Sequence, residues 1–158
     1  MELEENIKLM KKIKKYPTIG WREWVSLPDL GITTIKAKVD TGARTSALHA
    51  FALHPFTEQG QEKIRFDIHP LQHNTDQVIT CTADVVDKRE VTDSGGHTEE
   101  RYVIETPITI ADQTWAIEIT LTERENMLFR MLLGRSALRK RFLVNPARSF
   151  VSTRKKNK

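Results

Sequence analysis

Apolar and polar positions along this chain follow two different periods, and the change between them divides it. In the first fifteen residues Leu3, Ile7, Met10 and Ile13 recur at helical spacing, so one face of a helix is apolar. Pro17 forces the residue before it out of helical geometry, so this helix is expected to stop by Tyr16. Beyond it the period falls to two. Ile35, Ala37 and Val39 alternate with Thr34, Lys36 and Lys38; Ile64, Phe66 and Ile68 alternate with Lys63, Arg65 and Asp67. Ile79, Cys81, Ala83 and Val85 repeat the pattern, as do Trp115, Ile117, Ile119 and Leu121. Each set reads as a strand with one buried face.

Turn-forming residues separate these runs: Leu27-Pro28-Asp29-Leu30-Gly31, Asn74 to Asp76, Asp93-Ser94-Gly95-Gly96 and Ala111-Asp112-Gln113. Short strands joined by hairpin-type turns predict a mainly β fold, a small barrel or sandwich. One short helix is expected near the end, capped by Ser136 and stacking Leu138 on Phe142. The expected organisation is a helical extension over 1–17, a β domain over 18–150 and a basic tail over 151–158.

Composition narrows this picture. At 158 residues, 39% hydrophobic and 29% charged, the chain fits one globular domain and is neither low-complexity nor wholly disordered. The longest apolar run is Ala50-Phe51-Ala52-Leu53. That is far below the roughly 20 residues that span a bilayer, so no membrane partner is expected. The acidic start, Met1-Glu2-Leu3-Glu4-Glu5, is unlike a secretory leader, and a cytoplasmic location is the default expectation. A single cysteine, Cys81, builds neither a disulfide nor a metal framework. The net charge of +4 favours acidic partners mildly. The basic ends lack an aromatic–basic stacking pattern, so no nucleic-acid partner is expected.

The segment with chemistry in it is Asp40-Thr41-Gly42-Ala43-Arg44-Thr45-Ser46, directly after the strand that ends at Val39. It sets a carboxylate in a tight turn, with a hydroxyl to pin the loop and a glycine that permits close approach. Downstream, Met131-Leu132-Leu133-Gly134-Arg135 is an apolar strand stopped by glycine. Together these motifs resemble retroviral aspartic proteases and the pepsin clan. Val39 to Ala50 is more closely similar to a bacterial and archaeal retropepsin-like family labelled ATP-dependent zinc protease. Members of that family are associated with ATP-grasp ligases that add glutamates to proteins.

That resemblance, covering roughly 18 to 150, implies a small closed acid-protease β-barrel and an aspartic endopeptidase active as a twofold homodimer. Each copy would supply Asp40 as one carboxylate of a catalytic pair. Thr41, Gly42 and Ala43 would form the active-site loop, and Leu132, Leu133 and Gly134 its supporting strand. A flap is expected over the cleft, best placed on a hairpin from about Lys88 to Ile104 with Ser94, Gly95 and Gly96 at its tip. The expected partners are a second copy and a peptide or protein substrate, an acidic or glutamate-tailed one as a refinement, in a pathway with a glutamate ligase.

No zinc-binding or phosphate-loop motif accompanies the label. A site from His49, His54, His69 or His73 with Cys81 would need long-range convergence, so neither a metal nor another cofactor is expected. Two alternatives remain open from sequence. The chain could be a non-catalytic retropepsin-like module, if Arg44 pairs with Asp40 and keeps it ionised; less favoured is a zinc-dependent peptidase.

Overall fold

A computed structural model describes residues 1–124 and 127–154. In chain order the elements are α1 (Glu2–Lys14), β1 (Thr18–Gly20), β2 (Arg22–Leu27), a 3-10 turn (Pro28–Leu30), β3 (Ile32–Asp40), β4 (Ser46–His49) and β5 (Phe51–Glu58). There follow β6 (Gln61–Ile68), β7 (Ile79–Thr92), β8 (Thr98–Ile110), β9 (Gln113–Thr122), β10 (Met131–Gly134), α2 (Arg135–Leu138), β11 (Leu143–Asn145) and α3 (Val151–Arg154). The protein is mainly β, as its period-2 patterning predicts, and no helix among the described residues is long and apolar enough to cross a membrane.

The alternation translates directly into burial. Along β3, Ile35, Ala37 and Val39 are buried while Thr34 and Lys38 face solvent. Pro28 ends β2, and Gly31, at φ 74°, reverses the chain into β3. Between β5 and β6 the partners Glu58 and Gln61 leave a two-residue turn. Its residues, Gln59 and Gly60, both have positive φ, the hairpin geometry whose twist matches the strands.

Among the described residues nine strands form one sheet in the order β2-β3-β10-β4-β9-β8-β7-β6-β5. A further bridge pairs Ser26 of β2 with Thr109 of β8, so the sheet curls until its first strand meets its sixth. The core fills the concave side with Leu27, Ile32, Ile35, Leu48, Ile64, Phe66, Ile104, Ile108 and Ile119. β1 and β11 make a separate parallel pair beside it.

Near the C-terminus the helix differs from expectation. It starts at Arg135 and runs a single turn, capped by the extended Gly134 with no side-chain bond, so Ser136 lies inside it, exposed. Lys140, at φ 65°, breaks the helical path. Leu138 and Phe142 are both buried, but through a turn in which the Phe142 N–H donates to the Leu138 carbonyl. Val151–Arg154 then forms a second single turn; residues 155–158, expected as part of the basic tail, lie outside the described residues.

That last turn is held by Glu23, whose carboxylate is wholly buried. It accepts the backbone N–H groups of Gly20 (2.7 Å), Val151 (2.8 Å) and Ser152 (3.1 Å), and the Ser152 hydroxyl (2.6 Å). At the other end of the chain, α1 forms as predicted, but Leu3, Ile7 and Met10 are exposed. The Ile13 side chain, expected on the same face, lies outside the described residues.

Candidate active site

β3 delivers Asp40 to the end of a buried strand, and two neighbours fix where that end sits. β10 runs parallel to β3 with Leu133 opposite Val39 and Gly134 opposite Asp40. On its other side β10 pairs antiparallel with β4, Leu132 opposite Ala47 and Met131 opposite Leu48. The chain from Thr41 to Thr45 must therefore cross over the end of β10 to reach β4.

Gly134 makes that crossing possible. A Cβ there would lie 2.6 Å from the Thr45 carbonyl carbon and 2.8 Å from its oxygen, and both are backbone atoms that cannot step aside. The crossing is then sewn down. The Gly134 N–H donates to Ser46 Oγ (3.0 Å), the Arg135 N–H to the Ala43 carbonyl (2.9 Å) and the Ser136 N–H to the Arg44 carbonyl (3.1 Å). The Arg135 guanidinium reaches back to the carbonyls of Gly42 (3.1 Å) and Thr41 (3.4 Å).

Within the loop, Asp40 Oδ1 accepts the Gly42 N–H at 3.1 Å, and the Ala43 N–H closes a turn on the Asp40 carbonyl. These bonds aim the half-exposed carboxylate, and among the described residues its second oxygen has no partner. Thr41 and Gly42 are exposed at the tip of the turn. Arg44 is exposed, and among the described residues no ion pair joins it to Asp40. Leu133 and Gly134 are buried beneath the loop and Leu132 is half-buried.

The hairpin β7–β8 is longer than expected, running from Ile79 to Ile110. Thr92 pairs with Thr98, which places Ser94, Gly95 and Gly96 at the tip. Asp93 Oδ1 accepts the N–H groups of Gly95 and His97, each at 2.9 Å. Its other oxygen takes the Arg124 guanidinium, tying the tip to the segment after β9. Deeper in the hairpin, Glu99 accepts Arg101 Nε (2.5 Å) and the Thr122 hydroxyl (2.6 Å).

The histidines are dispersed. His49 is buried beside Arg130, His69 stacks on Phe51, His54 stacks on Phe56, and His73 sits exposed in the loop before β7. Cys81 is buried, its thiol directed at the Leu30 carbonyl. Among the described residues no three His, Cys, Asp or Glu side chains come together as a metal site. Sequence reasoning did not single out Ser46 or assign Arg135 a place. The signal for Arg135 was its position, immediately after the Leu-Leu-Gly strand.

A parallel strand under an Asp-Thr-Gly turn, with a glycine where the loop crosses it, is the arrangement of the retropepsin-like class. The profile of a RimB-like family, described as retropepsin-like aspartic endopeptidase RimB, matches residues 18–155, and the chain belongs to that family. A probable alpha-L-glutamate ligase of Shewanella pealeana is 44% identical over 132 residues, covering 84% of this chain and 29% of that protein. A probable alpha-L-glutamate ligase of Desulfotalea psychrophila is 46% identical over 129 residues, covering 82% of this chain and 28% of that one. The chain thus spans less than a third of the length of these curated relatives. The crystal structure of a Legionella pneumophila protein of unknown function aligns with a TM-score of 0.70 at 28% identity, covering 86% of this chain and 98% of that chain.

Proposed function

We propose that this chain is an aspartic endopeptidase that works as a twofold homodimer and cleaves acidic, glutamate-tailed protein or peptide. The observation that carries the reading is Asp40, held on a sewn-down turn with one carboxylate oxygen committed to Gly42 and the other open. Each chain holds one Asp-Thr-Gly, so a pair of such carboxylates needs a second copy, with the turns facing across the axis. Two carboxylates at hydrogen-bonding distance share one proton, which leaves a base and an acid side by side.

In the proposed reaction the ionised Asp40 takes a proton from a water, whose oxygen attacks the scissile carbonyl carbon. The protonated Asp40 gives its proton to the carbonyl oxygen, forming a tetrahedral diol. Collapse of the diol breaks the C–N bond. One carboxyl group passes a proton to the leaving nitrogen while the other recovers one from the diol. Arg135, Gly134 and Ser46 hold the turn so that the attacking water and the carbonyl meet at the right distance. The bridge between Ser26 and Thr109 supports reading the curled sheet as the closed barrel of this class. The β7–β8 hairpin serves as the flap.

The substrate class rests on two supports. Arg44 presents an exposed cation on the site loop with no acidic partner among the described residues, and the chain carries a net charge of +4. The relatives named for glutamate ligation point to the same chemistry, a peptide bond beside added glutamates.

The test compares wild type with Asp40→Asn on glutamate-rich and neutral peptides, at acidic and neutral pH, with and without a zinc chelator. Cleavage of the acidic peptides that needs Asp40 and ignores the chelator is expected. Loss of cleavage with the chelator would overturn the mechanism in favour of a metal peptidase. A fully active Asp40→Asn protein would also overturn it. Equal cleavage of both peptide classes at low salt would remove the substrate class alone.

A further inference from the structure

The helix α1 lies wholly before residue 18, where the match to the family begins, and Leu3, Ile7, Leu9 and Met10 on it are exposed. Leu3, Ile7 and Met10 are 72%, 43% and 58% exposed. They fall within an arc of about 60° around the helix, a narrow seam of the width that a single partner helix covers, while Leu9, 56% exposed, lies off that seam. A helix of this length is marginal in water on its own, so an open seam calls for an occupant.

The charges say which occupant. Glu2, Glu4 and Glu5 fill the first turn, while Lys8, Lys11 and Lys12 follow in the later turns. The helix is therefore acidic at its start and basic towards its end, and it complements itself only when reversed. Glu4 and Lys11 each follow a seam residue by one position, so they border the same flank. In an antiparallel pair that flank meets its own counterpart, bringing the Glu4 of each copy towards the Lys11 of the other. A parallel pair would instead set acidic turn against acidic turn.

We propose that α1 pairs antiparallel with α1 of a second copy of this chain, Leu3 of each lying against Met10 of the other with Ile7 near the axis. The pairing deepens the homodimer proposed above and rests on it for the tethering of the two chains, which raises the effective concentration of one helix for the other. It supplies a contact that does not depend on Asp40.

Disulfide trapping reads the orientation directly. Leu3→Cys and Met10→Cys proteins are mixed in a glutathione redox buffer, and the dimer mass is followed by sedimentation. Both replaced side chains are exposed, and the native thiol of Cys81 is buried. In an antiparallel pair two copies of residue 3 sit roughly 10 Å apart along the axis, beyond the ~7 Å limit for a disulfide. The mixed product, which joins a Leu3→Cys chain to a Met10→Cys chain, is thus expected to exceed the two like-with-like products together by about tenfold. Adding Lys11→Glu to both proteins should reduce that excess, and Glu4→Lys with Lys11→Glu should restore it. A dimer giving mixed and like-with-like products in about equal amounts, or a like-with-like excess, overturns the helix pairing and leaves the catalytic homodimer standing. A monomer at every concentration overturns both.

Discussion

Arg135 is the residue on which the site's rigidity converges, because its backbone and side chain together hold three carbonyls of the loop: Thr41, Gly42 and Ala43. Truncating it to alanine removes the guanidinium bonds and leaves the backbone one. The expected result is a fall in kcat of about 10–100-fold with KM little changed, since misplacing a catalytic group by an ångström costs that much. Steady-state kinetics on the best peptide would check it; an unaltered kcat would release Arg135 from a positioning role. Asp40 was legible in the sequence because an Asp-Thr-Gly behind an alternating strand is a local pattern. Arg135 was visible in position but not in role. Its targets lie more than ninety residues away, and nothing local reports them. Glu23 was hidden for the same reason: its partners Val151 and Ser152 come from the far end of the chain.

Cys81 carries a pH signature of its own. Burial, and then the negative charge of Asp67, push its thiol from 9.0 up to about 12. The folded value lies above the unfolded one, so the contribution is whole below pH 9 and is lost as pH rises towards 12. Chemical denaturation is expected to show stability falling across that window. Cys81→Ala should flatten the slope by up to about 1.4 kcal/mol per pH unit. An identical slope in the variant would contradict the assignment.

At the level of elements, the crossing of the loop over β10 is the tightest feature of the site. Gly134→Ala would drive a methyl into the Thr45 backbone, and overpacking of that kind costs about 1–3 kcal/mol. A drop in thermal midpoint accompanied by lost activity is expected, whereas a variant as stable as wild type would mean the crossing can open. The strands whose burial alternates, β3, β6, β7 and β9 as far as Ile119, announced themselves by that period. β4 did not: all four of its residues are buried between β10 and β9, so no period-2 signal exists to read. The short helix after β10 was foreseen in place but not in start or length. Its N-terminus is set by the close approach of Gly134 to the loop, a tertiary contact, and not by a capping side chain.

For the whole molecule, the family and the mainly β sheet followed from the two motifs and the patterning, because both are written locally. What a single chain does not spell out is the symmetry that the proposed chemistry calls for, one carboxylate from each of two copies. That sharing has a quantitative consequence. Wild type and Asp40→Asn are co-refolded at fixed total concentration over a series of mixing ratios, and cleavage is measured at each. If every site takes one Asp40 from each copy and mixed dimers are inactive, activity falls as the square of the wild-type fraction, to about a quarter at equal mixing. A linear fall, to about half, would mean that each chain carries a complete site by itself and would contradict the shared-carboxylate account.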